Sequence, residues 1–215
     1  IYGKATDGAG NAGPCSTDSV SYIEDSTAPV APQMLATVPP SPANNNTPVV
    51  SGTAEAGSTV RIYKVAGCSG TPAEVVLADS MGHFQHHVTV DDDSTTAFQL
   101  TSTDAAGNPS PCVAGLTYVE DSSGPTPVTF TGTSPVSPSS QESLTISGQT
   151  DADSTVTLYT SSTCSGLPAG SGVATNTGQF SIAVSVSPDT VTAFFAESTD
   201  ALGNSSGCSA SSITY

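Results

Sequence analysis

The stretch SGTAEAGSTVRIY at residues 51–63 returns as SGQTDADSTVTLY at residues 147–159, 96 positions further along the chain. Each copy contains two short runs in which apolar and polar residues alternate, separated by small turn-forming residues. Alternation with a period of two is typical of β-strands that are buried on one face. Each copy therefore predicts two strands joined by a tight turn.

A second motif extends this repeat to the whole chain. TDGAGNAGPC at residues 6–15, TDAAGNPSPC at 103–112 and TDALGNSSGC at 199–208 are three copies of it, spaced 97 and then 96 residues apart. A fixed period indicates an array of similar units. We therefore predict three successive repeats, of which only the second and third are complete. The boundaries are 1–27 for the last two strands (a hairpin) and linker of an incomplete repeat, 28–121 for the second repeat and 122–215 for the third.

Seven short strands are predicted in the second repeat, and no stretch of it has a helical period. They lie near residues 32–38, 47–54, 58–65, 74–79, 83–90, 95–103 and 112–119. The composition agrees, because 36% hydrophobic residues and no Trp suit several thin cores better than one large core. The predicted fold class is all-β, with tandem immunoglobulin-like (fibronectin III-like) seven-strand β-sandwiches arranged end to end.

The charge of the chain is strongly negative. Nineteen acidic residues face three basic ones, for a formal net charge of −16. Binding to a phosphate backbone needs cationic side chains, so nucleic acid and anionic membrane surfaces are poor partners, whereas carboxylates suit divalent cations. No apolar run is long enough to span a bilayer. Because the chain opens inside a repeat, we expect it to be a piece of a longer protein.

Two acidic segments connect the repeats. YIEDSTAP at residues 22–29 (the first linker) and YVEDSSGP at residues 118–125 (the second linker) each contain the end of the last strand of a repeat and the joint that follows it. Pro29 and Pro125 fix the backbone φ and end the strand. We expect both linkers to be stiff.

These motifs together resemble a known family. The order G-T-A-E-x-G-S-T-V, then T-D-A-A-G-N, then E-D-S-T-A-P is similar to bacterial Ig-like repeats, and the likeness covers the whole chain, more loosely in the third repeat. Such repeats occur in tandem in very large secreted or surface-anchored proteins, often adhesins. The resemblance implies a non-catalytic stalk or filament segment at the cell surface or outside the cell, with neighbouring repeats or copies of the same chain as partners. The alternative is a binding module that recognises a glycan or protein through a domain face.

The T-D-x-x-G-N motif allows two interpretations. It is a hairpin turn, because Asp accepts backbone N–H groups while Gly and Asn tolerate positive φ. It also allows calcium at the joints, as in the family it resembles, although no single segment supplies enough ligands. The candidate ligands are Glu24, Asp25, Glu55 and Asp104 at the first joint, and Glu120, Asp121, Asp151, Asp153 and Asp200 at the second.

The five cysteines predict disulfides and an oxidising compartment. Pairing within repeats would join Cys68 to Cys112 and Cys164 to Cys208. If strands alternate in direction, however, Cys68 and Cys112 lie at opposite ends of a strand of about 23 Å, whereas bridged Cα atoms lie within about 7 Å. This geometry favours a Cys68–Cys208 bridge across the joint, with the pairing within repeats as the alternative.

Other reactive residues do not form a catalytic set. The acidic run DDD at residues 91–93 is interpreted as a solvated loop, and His83, His86 and His87 as side chains along one strand that cannot share a metal. GNSSG at 203–207 matches a nucleophile elbow, but it lies in a predicted strand-to-strand turn and its repeat contains no histidine. We therefore expect no enzyme activity.

Overall fold

The computed structural model describes residues 1–215, and nearly all of its regular secondary structure is β-strand. Its one helical element is a 3-10 turn at Ala66–Cys68, so no helix is long and apolar enough to cross a membrane. The chain begins with a separate antiparallel hairpin of β1 (Tyr2–Thr6) and β2 (Ala12–Ser19), whose side chains are almost all exposed. These residues therefore form two paired strands, and their membership of an incomplete repeat stays a prediction.

Each complete repeat contains seven strands. Those of the second repeat are β3 (Gln33–Val38), β4 (Val49–Thr53), β5 (Thr59–Tyr63), β6 (Glu74–Leu77), β7 (His83–His87), β8 (Thr95–Thr103) and β9 (Val113–Val119). Those of the third are β10 (Thr129–Ser134), β11 (Ser143–Gln149), β12 (Thr155–Tyr159), β13 (Gly170–Val173), β14 (Gln179–Ser185), β15 (Ala193–Thr199) and β16 (Ile213–Thr214). The strand count confirms the all-β prediction.

The strands of both repeats follow one topology. A three-stranded sheet of order β3-β4-β7 and a four-stranded sheet of order β6-β5-β8-β9 make up the second repeat. The third repeat has the same arrangement, with the orders β10-β11-β14 and β13-β12-β15-β16. Three strands opposed to four is the arrangement of an immunoglobulin-like sandwich. The end-to-end placement of the repeats stays a prediction.

The core follows the alternation seen in the sequence. In β14, Phe180, Ile182 and Val184 are buried while the residues between them are exposed. The buried apolar residues of the third repeat, which include Leu144 and Phe194, form one cluster. The second repeat buries the equivalent side chains, since Val60 and Val156 are both fully buried, and Phe84 and Phe180 are 3% and 4% exposed. Matching positions in the two repeats thus have matching roles.

One glycine of the repeated motif is required by this packing. A Cβ atom on Gly52 would lie 2.5 Å from the Phe84 ring, and one on Gly148 would lie 2.4 Å from the Phe180 ring. Both distances are far below van der Waals contact. The glycine therefore returns with the phenylalanine because any side chain at this position would overlap the ring.

By its internal contacts the chain divides into two compact units that do not follow the repeat boundaries. One consists of residues 1–35, 51–86 and 98–115, and the other of residues 36–50, 87–97 and 116–215. The first linker and the turn at residues 103–108 belong to the former. The second linker belongs to the latter, together with Asp93 and Asn204. The boundaries 1–27, 28–121 and 122–215 remain a prediction from the sequence period.

The disulfides correct one prediction. Cys68 is bonded to Cys112 with a Cα–Cα distance of 5.8 Å, and Cys164 to Cys208 with a Cα–Cα distance of 5.5 Å. Cys15 is free and exposed. The favoured Cys68–Cys208 bridge is therefore wrong, and the alternative pairing within each repeat is the one present.

The error arose from the path of the chain after the hairpin turn. Residues 109–112 run back along β8, with Thr103 paired to Pro109 and the Ser110 N–H donating to the Ser102 carbonyl at 2.8 Å. Cys112 therefore reaches the side chain of Gln99, far from the turn. Because Gln99 pairs with Tyr63 at the end of β5, the two cysteines meet at the same end of the sheet.

Candidate functional site

The T-D-x-x-G-N motif forms the same closed turn in all three copies. In the second copy the Asp104 carboxylate accepts the Asn108 N–H at 2.8 Å and the Asn108 side-chain amide at 2.8 Å. Asp200 and Asn204 make the same two bonds, and Asp7 and Asn11 make them again in the first hairpin. The aspartate is thus the acceptor that holds the turn, as the structural interpretation of the motif predicts.

The asparagine of this turn also holds the linker that precedes its repeat. The Asn108 side-chain amide donates to the carbonyls of Asp25 and Thr27, at 3.1 and 3.3 Å. The Asn204 amide donates to the carbonyl of Asp121 at 3.0 Å. The two repeated motifs of the sequence, the acidic linker and the asparagine turn, are therefore partners in one contact.

The second linker is also held from its other side by Asp93. The Asp93 carboxylate accepts the N–H groups of Ser122 and Ser123 at 3.0 and 2.9 Å, and the Ser123 hydroxyl at 2.7 Å. Asp93 itself adopts a left-handed backbone conformation with φ of 49°. In the sequence this residue is the last of the DDD run, which we interpreted as a solvated loop. The signal that marks it is Asp189, which occupies the same position one period later.

Backbone hydrogen bonds hold the start of the second linker. The Ala43 N–H donates to the Val119 carbonyl at 3.1 Å, and the Asp121 N–H donates back to the Ala43 carbonyl at 3.2 Å. The Glu120 N–H donates to the Ser94 carbonyl at 2.8 Å. Residues 119–121 therefore continue from the end of β9 and lie against two loops of the second repeat.

Close packing fixes the end of the second linker. A Cβ atom on Gly124 would lie 2.0 Å from the Ser205 carbonyl oxygen, so only glycine fits there. Pro125 is buried, as is Pro29 at the end of the first linker. Thr126 then donates its N–H and its hydroxyl to the Asp151 carboxylate at 3.0 and 2.7 Å. The second linker is thus in contact with the protein along its whole length.

Glu120 is a buried carboxylate within this linker. Its side chain is 1% exposed, and its Oε2 atom accepts the Asp93 N–H at 2.7 Å and the Ser122 hydroxyl at 3.2 Å. Its Oε1 atom is buried without a hydrogen-bond partner. Burial of an unpaired carboxylate oxygen is costly, so this atom is the one place in the joint that calls for a further ligand.

The predicted calcium ligands lie apart or are engaged in hydrogen bonds. Asp104, Asp200 and Asp151 accept the bonds described above, and Asp25 accepts the Thr27 N–H at 3.0 Å. The remaining acidic residues of the predicted sets that are largely exposed are Glu24, Glu55 and Asp153. No three carboxylate, imidazole or thiol groups come together to hold a metal ion. Calcium at the joints stays a prediction.

The carboxylates that hold turns and linkers are more acidic than usual. The Ser123 hydroxyl and the Ser122 N–H hold the pKa of Asp93 below its usual 3.8. The side-chain amide of Asn108 does the same for the pKa of Asp104. For Asp200, burial acts to raise the pKa, but the bonds from Asn204 and its neighbours outweigh it and lower the pKa. All three groups are therefore charged acceptors at neutral pH.

Comparisons with known proteins identify the repeat. Residues 28–118 match the family model described as a bacterial Ig domain, which confirms the resemblance for the second repeat. A comparison with curated proteins finds no match.

Solved structures that match this chain come from several sources, all at low sequence identity. The BSP domain of a biofilm associated protein is 17% identical over 87% of this chain, with a TM-score of 0.30. The D0-D1 domain of intimin is 11% identical, over 80% of this chain and 91% of that one, with a TM-score of 0.28. The human OSCAR ligand-binding domain is 8% identical, over 88% of this chain and 100% of that one, with a TM-score of 0.36. This chain spans 29% of the length of the biofilm associated protein.

Proposed function

We propose that this chain is a non-catalytic structural segment of an extracellular or cell-surface bacterial protein. Its residues 28–118 match the bacterial Ig domain family, and its third repeat has the same strand order as the second. In this role its repeats form a stiff spacer, as in the stalk or filament of an adhesin. The observation that carries the proposal is the second linker, which is hydrogen-bonded by Asp93 on one side and by Asn204 on the other. Its partners are neighbouring repeats of the same protein or copies of the same chain.

A spacer built from repeats needs joints that do not bend. A flexible linker of a few residues lets neighbouring domains reorient freely, whereas one whose backbone groups are bonded does not. The Asp93 carboxylate accepts two successive N–H groups, and Gly124 lies directly against the chain at Ser205. These contacts support a joint in which the linker has no freedom of its own.

The disulfides support a location outside the reducing cytoplasm. Disulfides persist in oxidising compartments and compensate for small hydrophobic cores. In this chain each complete repeat has one bridge that closes a loop of the same length. We infer that every repeat of the parent protein is stabilised in the same way, independently of its neighbours.

The test is small-angle scattering of the full chain and of the variant Asp93→Asn/Asn204→Ala. If the hydrogen bonds stiffen the joint, the intact chain gives the scattering of one stiff body and the double variant gives a broader distribution with a smaller mean size. The control is Asn11→Ala, which opens an equivalent turn that holds no linker in this structure. Identical profiles for the intact chain and the double variant would contradict the proposal.

Calcium is a second element of the proposed function, because the Glu120 Oε1 atom lacks a partner. A cation bound there would neutralise a buried carboxylate and add a contact between the linker and the loop that carries Asp93. The test is titration of calcium into the metal-free chain, followed by the unfolding temperature Tm. We expect calcium to raise Tm in the intact chain and to have no effect on Glu120→Gln. Equal Tm values with calcium and with chelator would contradict calcium binding at Glu120.

A further inference from the structure

The loops that receive the second linker have a copy in the third repeat. The receiving loops of the second repeat are residues 38–46 and 90–94, and the equivalent loops of the third repeat are residues 134–142 and 186–190. Both copies contain two cis prolyl bonds at matching positions, before Pro39 and Pro42 and before Pro135 and Pro138.

Individual hydrogen bonds are also repeated. The Tyr118 hydroxyl donates to the Asn45 carbonyl at 3.1 Å, and the Tyr215 hydroxyl donates to the Gln141 carbonyl at 2.9 Å. The loops that contain Asp93 and Asp189 are each closed by the same hydrogen bond. The hydroxyl of Ser94 in one loop, and of Thr190 in the other, donates to the backbone carbonyl three residues before it, at 2.6 Å in both cases.

Asp189 reproduces the unusual backbone of Asp93. Its φ is 55°, against 49° for Asp93, and both values lie in the left-handed region that residues other than glycine rarely adopt. In the second repeat this conformation presents the Asp93 N–H to Glu120 and the carboxylate to Ser122 and Ser123. The exposed Asp189 therefore has the backbone geometry needed to hold a linker.

The space that the linker fills in the second repeat is a cavity in the third. It has a volume of about 390 Å³, and Ser139, Glu142, Asp189, Thr190 and Tyr215 are among the residues that line it. Ser139 is the equivalent of Ala43, and Thr190 is the equivalent of Ser94. These two residues provide the same backbone groups that bond residues 119–121 in the second repeat.

We propose that this cavity is a binding site for an extended peptide segment of the linker type, with the sequence pattern Glu-Asp-Ser-Ser. The Ser139 N–H and carbonyl pair with the backbone of the segment, and the Thr190 carbonyl accepts the N–H of its glutamate. Asp189 donates its own N–H to that glutamate and accepts two successive N–H groups and one hydroxyl from the serines. The proposal rests on the proposed function, since it extends the joint seen after the second repeat to the third.

The chemistry of the cavity favours this occupant over other ligands. Its charged lining residues are Glu142 and Asp189, so an anionic small molecule or a nucleic acid would be repelled. The second repeat binds an acidic linker because the glutamate of the linker accepts a hydrogen bond from a backbone N–H and its serines donate hydrogen bonds to an aspartate. The same pairing is available at the third repeat.

The experiment extends the full chain after Tyr215 with Val-Glu-Asp-Ser-Ser-Gly-Pro, the sequence of residues 119–125. We expect a rise of about 4 °C or more in the Tm of the third repeat, and slow hydrogen exchange at the amides of the two added serines. Asp189→Asn keeps the left-handed backbone and should remove more than half of both effects in the extended chain. A scrambled extension of the same composition is the control and should give neither effect.

The proposal is overturned if the native and scrambled extensions give equal Tm values, or if Asp189→Asn leaves the protection of the added serines unchanged. Failure of the stiff-spacer function would show differently. In that case the added segment would still be protected from exchange, while scattering would report free motion between repeats.

Discussion

Single residues decide whether the linkers are held, and asparagine of the T-D-x-x-G-N motif is the clearest case. Asn204 is 4% exposed and its amide bonds both its own turn and the second linker. Asn11 makes the turn bond alone and is exposed. The same residue type in the same turn thus has an additional role wherever a linker lies beside it.

We predict that Asn204→Ala destabilises the third repeat by about 1–3 kcal/mol, because truncation leaves the partly buried Asp121 carbonyl without its donor. Asn11→Ala should cost less than this, since water replaces the lost bond at an exposed turn. The measurement is chemical denaturation of the full chain, with ¹⁵N relaxation of residues 119–126 to detect increased motion. Equal costs for the two variants would show that Asn204 acts only within its turn.

Asp93 provides a prediction about pH. The folded pKa of Asp93 is lowered, so its contribution is complete above about pH 3.8 and is lost as the pH falls through the folded pKa. The amide proton shifts of Ser122 and Ser123 should therefore stay constant from pH 7 to about pH 4 and change together below it. In Asp93→Asn this common change of the two shifts should be absent. A common midpoint above pH 3.8 would contradict the assignment of Asp93 as their acceptor.

The sequence predicted the role of the motif aspartates but missed Asp93 and the second role of asparagine. Turn chemistry is local, so TDAAGN alone indicates that Asp104 accepts bonds from Asn108. The bond from Asn108 to Asp25 joins residues far apart in the chain, and no local pattern encodes such a contact. Asp93 was not identified because it belongs to a run of three acidic residues, and such a composition is typical of a solvated loop. Comparison with Asp189 one period later is what singles it out.

At the scale of elements, the strands were predictable and the disulfides were not. The alternation of apolar and polar residues predicted strands near 58–65 and 83–90, and the structure has them at 59–63 and 83–87, because the pattern directly reflects the two faces of a sheet. The disulfide depended on the path of residues 109–112, where the chain returns along β8 before β9 begins. That segment has no alternation of its own, so its course could not be read from hydrophobic pattern.

The disulfides give the prediction at this scale. We expect Cys68→Ser/Cys112→Ser to lower the stability of the second repeat by about 2–4 kcal/mol and to leave the third repeat unchanged, because each bridge closes a loop within one repeat. Cys15→Ser, at a free and exposed position, is the matched control and should have no effect. Non-reducing peptide mapping checks the pairing directly. A peptide that joins Cys68 to Cys208 would refute it.

At the scale of the whole molecule, the repeated linker explains why the chain contains the same acidic segment twice. The glutamate and serines of residues 120–123 bond the repeat before them, and the carbonyl of Asp121 accepts a bond from the repeat after them. In the function we propose, such a segment transmits orientation from one repeat to the next, and repetition then increases length without adding a hinge.

The measurement that tests this claim most directly is the set of residual dipolar couplings of the backbone amides in the full chain. If the second linker is rigid, the couplings of residues 28–121 and 122–215 fit one alignment tensor of common magnitude and orientation. In Asp93→Asn/Asn204→Ala they should require two tensors of different magnitude. Two different tensors in the intact chain, at neutral pH with its disulfides formed, would contradict the account.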